Sequence, residues 1–172
     1  LVTITVNDNP TATPVAASLC EGTMLTVDGV PAAGSLTYTT HAWTDLGTGS
    51  ATGVTLTDAA TQIVTVNTTV TSAGTVDLQY VVTDDNGCTA TGLVTITVND
   101  NPTATPVAAS LCEGGMLTVD GVPAAGSLTY TTHAWTDLGT GSATGVTLTD
   151  AATQVVTVNT TATSAGTVDL QY

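Results

Sequence analysis

The stretch TVDLQYVVTDDNGCTATGLVTITV, residues 75–98, decides the fold of this chain. Apolar and polar residues alternate along its first half, which places four apolar side chains on one face: Val76, Leu78, Tyr80 and Val82. Alternation with a period of two is typical of a β-strand that buries one face. The tetrapeptide DDNG at 84–87 is a strong hairpin signal. The stretch therefore predicts two antiparallel strands, 75–84 and 88–98, joined by a tight turn.

Further short runs of strand-forming residues precede this hairpin, and turn signals separate them. The predicted strands are 11–17, 24–29, 36–45, 53–58 and 62–68. Pro14 makes the first of them an edge-like strand, because proline has no N–H to donate to a ladder. No helical period competes with this pattern. Seven short strands with regular turns predict an all-β, immunoglobulin-like Greek-key β-sandwich.

The sequence also repeats itself. A shift of 92 positions aligns residues 1–80 with 93–172, and only three of the 80 pairs differ: Thr23/Gly115, Ile63/Val155 and Val70/Ala162. A unit of this length is one small domain rather than one turn of a solenoid. We predict that residues 1–8 are the last strand of a preceding repeat, that 9–100 form a complete repeat, and that 101–172 form a second repeat truncated before its last strand. This pattern indicates a segment of a longer tandem array.

The composition excludes several classes of function. The chain has 14 acidic residues and no Lys or Arg, which gives a formal net charge of −14. Nothing in it could neutralise phosphates, so nucleic acids and anionic membrane surfaces are excluded as partners. No apolar stretch is long enough to span a membrane. Threonine contributes 42 of the 172 residues, and threonine and valine favour a pleated, half-buried surface.

Three segments carry a resemblance to a known class of repeats: LCEG (19–22), HAWTDLGTGS (41–50) and SAGTVDLQYVVTDDNGCTATGLVTITV (72–98). Together they resemble the Ig-like or PKD-like repeats of very large bacterial surface proteins, such as the repetitive adhesins and cell-surface filaments of gliding bacteria. The resemblance implies secretion, a rod of tandem sandwiches, and work in adhesion, motility or surface coating. It supplies no catalytic residues. The absence of Lys and Arg departs from this pattern.

Each full repeat holds two cysteines, Cys20 and Cys88, and Cys112 is the copy of Cys20. In a protein that resembles secreted ones, two per repeat favour one disulfide per module. We favour Cys20–Cys88 within a module. This pairing requires the 18–22 segment to run along the last strand, because a simple immunoglobulin order places the two residues at opposite ends. A bridge between neighbouring modules and buried free thiols are the alternatives.

The segment VNDNP, at 6–10 and again at 98–102, lies where one repeat joins the next. It resembles the calcium-binding linker of cadherins, which implies oxygen ligands for calcium between domains. The predicted ligands are Asp8, Asn9, Asp84 and Asp85, with Asp100 and Asn101 as the copies of the first two. A hard cation takes six to eight such oxygens. Asn, Asp and Pro are also ordinary turn residues, so a turn without a metal is the alternative.

The remaining conspicuous residues favour structural roles. Trp43 and its copy Trp135 are predicted core anchors, and His41, on the same face, is expected to be hydrogen-bonded and partly buried. Asn67 and Asn159 begin N-x-T motifs that fit glycan acceptors. No Ser/His/Asp arrangement, Cys/His metal spacing or phosphate-binding loop occurs. We predict no enzyme activity and no cofactor other than calcium.

These observations favour a structural repeat of an extracellular bacterial surface stalk, sheath or filament. Its partners are other copies of the same repeat or chain, and residues 1–8 could complete a neighbouring module by strand addition. The alternative is an adhesin module that binds glycans or a host surface and is stiffened by calcium.

Overall fold

The computed structural model describes residues 1–126, 128–160 and 164–172, without the side chains of 69–71. The chain divides into two compact units, Leu1–Asp100 and Asn101–Tyr172. The described residues of both units form strands and loops and contain no helix. The predicted all-β class is therefore confirmed.

The first unit contains nine strands. They are β1 (Thr11–Ala12), β2 (Ser18–Cys20), β3 (Met24–Asp28), β4 (Pro31–Ala32), β5 (Tyr38–Asp45), β6 (Thr52–Thr57), β7 (Ile63–Ser72), β8 (Gly74–Asp84) and β9 (Thr89–Asn99). One sheet has the order β2-β9-β8-β5, a second has the order β3-β7-β6, and β1 pairs with β4. The two larger sheets form a sandwich of immunoglobulin type.

The core of the first unit is built from the inward faces of both sheets. Its largest fully buried side chains are Tyr80, Leu78, Ile96, Val64, Val66 and Val82. Along β8 the residues alternate between buried and half-buried positions, as the sequence pattern predicted. The chain forms a sandwich because each long strand has one apolar face that must be covered by the facing sheet.

The predicted hairpin of residues 75–98 is confirmed. Strands β8 and β9 pair antiparallel from Gly74 opposite Val98 to Thr83 opposite Thr89. Oδ1 of Asp84 accepts hydrogen bonds from the N–H groups of Asn86 (3.0 Å) and Cys88 (2.8 Å). This carboxylate therefore satisfies two main-chain donors that the tight turn leaves without partners in the ladder.

The predicted single strand 11–17 is wrong, because the chain divides there into β1 and β2. β1 pairs with β4, whereas β2 pairs with β9 in parallel. Pro14 lies between them and packs against Gly92, where a Cβ atom would come within 2.4 Å of the proline Cδ. The proline cannot donate a ladder hydrogen bond, so the segment leaves one sheet and joins another.

The described residues of the second unit form seven strands. They are β10 (Thr103–Ala104), β11 (Met116–Asp120), β12 (Pro123–Ala124), β13 (Thr136–Asp137), β14 (Val146–Thr149), β15 (Val155–Thr160) and β16 (Leu170–Gln171). The sheet β11-β15-β14 repeats the β3-β7-β6 sheet of the first unit. Even the register is the same, because Met116 lies opposite Asn159 just as Met24 lies opposite Asn67. Near-identical sequence has therefore produced the same sheet twice.

The other sheet differs between the two units. Residues 110–112, the copies of β2, form no strand, and the copies of β5 and β8 shrink to β13 and β16. The 172 residues include no copy of β9 for this unit. In the part of the chain that the structure describes, β13 and β16 pair only at Thr136 opposite Gln171 and at Asp137 opposite Leu170, whereas β5 pairs with β8 from one end of β5 to the other.

Candidate interaction surface

Strand β9 closes the sandwich of the first unit. It lies between β8 and β2, so both of its edges carry ladder hydrogen bonds. Its side chains Val94, Ile96 and Val98 point inward and are 7%, 0% and 2% exposed, whereas Thr95 and Thr97 on the other face are exposed. Burial of these three apolar side chains makes β9 an essential part of the core.

Residues 1–7 have the same sequence as residues 93–99 of β9 but a different environment. They lie in no strand, and Val2, Ile4 and Val6 are 87%, 83% and 89% exposed. These are the copies of Val94, Ile96 and Val98. The first eight residues of the chain therefore display, without cover, the same apolar stripe that fills the core of the first unit.

The second unit has an open face where β9 would lie. We define the open face by its lining residues: 106–111, Leu117, Val119, Trp135, Val158 and 166–170. They surround a groove of about 660 Å³, which is far larger than the voids left in a close-packed core.

The side chains of the open face are less buried than their copies in the first unit. Val168, Leu170 and Tyr172 are half-buried, while their copies Val76, Leu78 and Tyr80 are buried. Trp135, in contrast, stays as buried as Trp43, at 5% exposed. The unit thus keeps the half of its core that β11, β14 and β15 provide.

An aromatic cluster lies at the centre of the first unit. The rings of Trp43 and Tyr80 are 4.6 Å apart, and Nε1 of Trp43 donates to the carbonyl oxygen of Gln62 at 3.2 Å. Nδ1 of His41 and Oη of Tyr80 are joined by a 2.6 Å hydrogen bond. Burial, with smaller contributions from the charges of Asp28 and Tyr38, raises the pKa of Tyr80 to about 12.

The second unit repeats this cluster. Nε1 of Trp135 donates to the carbonyl oxygen of Gln154 at 3.2 Å, and His133 bonds to Tyr172. In both clusters Nε1 of the tryptophan, Nδ1 of the histidine and Oη of the tyrosine each have a hydrogen-bond partner inside the fold. The rings also pack against one another. The arrangement fits a packing role, as expected for buried Trp and Tyr with a polar tip.

The predicted calcium ligands fall into two groups, one at the end of the first unit where the chain enters and one after the last strand of that unit. The main-chain N–H of Ser35 donates to the carbonyl oxygen of Asp8, and that of Asp85 donates to Thr37. Asp8 and the 84–85 turn are therefore attached to the same short segment, 35–37. Asn9 follows Asp8 directly, whereas Asp100 and Asn101 follow the far end of β9.

At the end of the first unit where the chain enters, Oδ1 of Asp84 and Oδ2 of Asp85 accept hydrogen bonds, whereas Oδ2 of Asp84 is buried and has no hydrogen-bond partner among the described residues. Asp85 accepts a 2.7 Å hydrogen bond from the hydroxyl of Thr37, and Asp84, 2% exposed, caps its own turn through Oδ1. Among the described residues, no three His, Cys, Asp or Glu side chains lie close enough to hold a metal ion. Calcium at the junction stays a prediction.

The predicted disulfide Cys20–Cys88 is wrong. Residues 18–20 do pair with the last strand, β9, as this bridge requires. The pairing is parallel, however, and it places Cys20 opposite Asn99 at the C-terminal end of β9. Cys88 precedes the other end of the 11-residue strand, more than about 30 Å away at about 3.4 Å per residue. A disulfide needs Cα atoms within about 7 Å. Cys20, Cys88 and Cys112 are all free thiols.

The two predicted glycan acceptors lie within regular strands. Asn67 is half-buried in the central strand β7, where its Nδ2 lies 3.5 Å from the hydroxyl oxygen of Thr57. Asn159 has the same position in β15, with Thr149 as its partner. The side chain of Thr69 and the whole of Thr161, which complete the two motifs, lie outside the described residues. Glycosylation stays a prediction.

Comparison with solved structures supports the sandwich fold. The N-terminal eight Ig domains of Down Syndrome Cell Adhesion Molecule match 95% of this chain and 25% of their own, at 16% identity and a TM-score of 0.50. The PKD domain of the KIAA 1837 protein matches 58% of this chain and 91% of its own, at 18% identity and a TM-score of 0.40.

A third match is a nucleoside hydrolase-related hypothetical protein from Saccharophagus degradans, described as associated with carbohydrate metabolism. It is 16% identical over 54% of this chain and 26% of its own, with a TM-score of 0.46. The chain thus spans about a quarter of two of these three proteins. At these identities the likeness concerns the fold alone.

No protein-family profile and no curated protein sequence matches the chain. Within the described residues, no helix has the length and apolar character needed to cross a bilayer. The sheet order, together with the likeness to the Ig domains of the cell adhesion molecule, shows that the chain has an immunoglobulin-like β-sandwich fold.

Proposed function

We propose that this chain is a structural repeat of an extracellular bacterial surface stalk, sheath or filament. Its sandwich domains act as spacers and as assembly modules, and they carry no catalytic site. The proposal rests on the path of the chain through the first unit, on the near-identity of the repeats, and on the charge of the surface.

The path of the chain is the observation that carries this proposal. Asp8, where the chain enters the sandwich, is bonded to Ser35 at the end that holds the 84–88 turn. Asn99, where the chain leaves, lies at the opposite end of the 11-residue strand β9. The two points are thus about one strand length apart, roughly 30 Å. Repeats joined through such points extend a chain rather than fold it back.

The repetition supports the same role. Of the 80 aligned pairs, 77 are identical (80 minus the three that differ), and this includes positions on the exposed faces of strands. A binding site would need only one copy of its residues, whereas a spacer needs every module to do the same mechanical work. The net charge of −14 also keeps neighbouring surfaces apart, and this opposes misassembly between nearly identical domains.

Small-angle X-ray scattering on chains with two, four and six covalently joined copies of residues 9–100 tests the proposal. We expect the maximum particle dimension to rise by a constant amount, roughly 30–45 Å, for each added copy. A matched control series, with ten Gly/Ser residues inserted after Asp100 of each copy, should show a smaller increment per copy and a broader distance distribution. Dimensions that grow only as the cube root of copy number would contradict a spacer role.

A further inference from the structure

We propose that Asn86 deamidates spontaneously and that Asp84 sets the rate of this modification by holding the turn around Asn86 closed. Asn86 is followed by Gly87, and this is the only Asn-Gly pair in the 172 residues. The pair lies in the turn that joins β8 to β9, inside the first unit. The modification consumes only water and needs no enzyme, so it goes beyond the proposed spacer role and does not depend on it.

The reaction is an attack of the main chain on a side-chain amide. The nitrogen of Gly87 forms a bond to Cγ of Asn86, and its proton passes through solvent to the amide nitrogen, which leaves as ammonia. Water then adds to one of the two carbonyl carbons of the succinimide ring and returns a proton to the ring nitrogen. The product is aspartate or isoaspartate. Glycine after the asparagine favours ring closure, because it has no side chain that crowds the attacking nitrogen.

The turn leaves this pair of residues open to water. Asn86 and Gly87 are both exposed, and a Cβ atom added at Gly87 would meet no atom of a non-adjacent described residue within 4 Å. Gly87 has a φ of 83°, a left-handed conformation that glycine adopts at little cost. The described surroundings of the pair therefore leave room for the ring and for the attacking water.

Asp84 holds the turn closed through its side chain and its main chain. Its Oδ1 accepts hydrogen bonds from the main-chain N–H groups of Asn86, at 3.0 Å, and Cys88, at 2.8 Å. Its carbonyl oxygen accepts a 3.0 Å hydrogen bond from the N–H of Gly87. The nitrogen that must attack is thus itself a donor in the closed turn. Ring closure requires this nitrogen to give up its hydrogen bond, which costs free energy.

Deamidation therefore proceeds from a turn that has opened locally while the sandwich stays folded. Exposed turns open in this way at a much lower free energy than that of global unfolding. The hairpin remains anchored, because β8 and β9 are paired up to Thr83 opposite Thr89, directly beside the turn. The observed rate is the open fraction multiplied by the rate of ring closure in the open turn. The Asp84 carboxylate lowers the open fraction and so slows the reaction.

Three other asparagines of the first unit are poor sites and serve as internal controls. Asn9 is followed by Pro10, whose nitrogen carries no proton to lose. Asn99 is 7% exposed, and its Nδ2 donates to the carbonyl oxygen of Leu19 at 3.3 Å. Asn67 lies in the central strand β7, where pairing on both edges fixes its main chain. Asn86 should therefore react much faster than any of these three.

The product loosens the turn for two reasons. In isoaspartate the main chain runs through the former side chain and is one carbon atom longer, which displaces the N–H of Cys88 from Oδ1 of Asp84. The reaction also adds a negative charge beside Asp84 and Asp85 in a chain that has no Lys or Arg. Oδ2 of Asp84 is buried without a hydrogen-bond partner among the residues that the structure describes, and the added charge repels it. Each reacted turn thus stays less firmly closed than before.

Peptide mapping of the 172-residue chain during incubation near pH 8 tests the inference. Digestion after acidic residues and tandem mass spectrometry assign each exchange of ammonia for water to one asparagine. We expect the exchange at Asn86 to be about tenfold or more faster than at Asn67 or Asn99, and to be absent in Asn86→Gln, whose longer side chain would have to close a six-membered ring. Asp84→Ala, which removes both side-chain hydrogen bonds, should speed it about tenfold. Asp84→Asn keeps an acceptor oxygen and should stay within about threefold of the original chain.

A rate at Asn86 no higher than at Asn67 or Asn99 would overturn the assignment of the site. Equal rates in the original chain and in Asp84→Ala, both folded by the fluorescence of Trp43, would overturn the role of Asp84. If Asp84→Ala does not fold, the original chain in concentrated urea replaces it. There the turn is open, so we expect the rate at Asn86 to rise about tenfold or more, and an unchanged rate would show that the closed turn gives no protection.

Discussion

Oη of Tyr80 lies 2.6 Å from Nδ1 of His41, inside a core where the tyrosine ring also packs against Trp43. The hydroxyl is thus buried with a single nitrogen as its side-chain partner. Ionisation would place a negative charge in this setting, near the carboxylate of Asp28, and this raises the pKa of Tyr80 to about 12.

This arrangement predicts a loss of stability at alkaline pH. Below about pH 10 the tyrosine is protonated in both the folded and the unfolded chain, so it contributes no pH dependence. Between about pH 10 and 12 the folded state binds more protons, so the free energy of unfolding falls as pH rises, by up to roughly 3 kcal/mol. Urea unfolding from pH 9 to 12, followed by tryptophan fluorescence, measures the fall.

Substitutions assign the effect to this residue. Tyr80→Phe should remove most of the alkaline fall, and it should cost about 1 kcal/mol at pH 8 through the lost hydrogen bond. Tyr38→Phe is the matched control and should keep the fall. An unchanged pH dependence in Tyr80→Phe would show that another group is responsible.

Gly29 should tolerate no side chain. A Cβ atom there would come within 2.2 Å of the Tyr80 ring, which is held by the core on its other sides. We expect Gly29→Ala to lower the free energy of unfolding of the first unit by about 2 kcal/mol through overpacking. Denaturant unfolding in a Trp135→Phe background reports on this unit through Trp43.

The copy of this position in the second unit provides the control. Gly121→Ala brings a Cβ within 2.4 Å of the Tyr172 ring, but that ring is only half-buried and can move towards solvent. We expect a cost of less than about 1 kcal/mol in a Trp43→Phe background. Equal costs at both positions would mean that the open face is as tightly packed as the closed one.

Asp77 should respond to the loss of its threonine partners. Hydrogen bonds from Thr95 and then Thr48 lower the pKa of Asp77. Because the pKa of Asp77 is lower in the folded chain than in the unfolded chain, the ionised carboxylate stabilises the fold at pH values above its unfolded-state pKa. This stabilisation is lost as the pH falls through the folded-state pKa. Thr95→Val should therefore raise the pKa of Asp77, which carbonyl NMR during an acid titration can detect.

The same variant should lose stability at pH 7, and this loss should become smaller as the pH falls through the folded-state pKa of Asp77. Thr97→Val, also outward-facing on β9, is the control and should leave the pKa of Asp77 where it is. A pKa of Asp77 that does not move in Thr95→Val would refute the hydrogen-bond origin of the shift.

The free cysteines lead to a further prediction. Chains isolated without reductant and digested with a protease that cuts after acidic residues should yield no peptide that links Cys20 to Cys88 of one chain. The melting temperature should be the same with and without reductant, because no loop within the module is closed. Detection of the linked peptide by mass spectrometry would require β2 to run in a different register.

The sequence was most informative where neighbouring residues decide the structure. The β8–β9 hairpin follows from alternation and the DDNG turn, both of which are local. The short strand β2 was missed because three residues carry no periodic pattern, and its parallel pairing depends on residues 79 positions away. The wrong disulfide has the same origin, because the direction of β2 decides which end of β9 Cys20 meets.

The difference between Ile4 and Ile96 shows a second limit of sequence patterns. Both lie in the octapeptide LVTITVND, yet one is 83% exposed and the other is fully buried. Local propensity is the same for both, so the difference comes only from the sheets that flank β9. The burial of such a strand depends on the strands that pair with it. The sequence pattern could therefore predict a strand at 1–8, but it could not predict which strands would flank it.

The central claim is that one repeat becomes a closed sandwich only when its last strand is present. Amide hydrogen exchange of the 172-residue chain extended after Tyr172 by a copy of residues 81–100 tests it most directly. We predict that amides at 166–172 become as protected as those at 74–80, by a factor of at least 100 over the unextended chain. Equal, weak protection of 166–172 in both chains would contradict the claim.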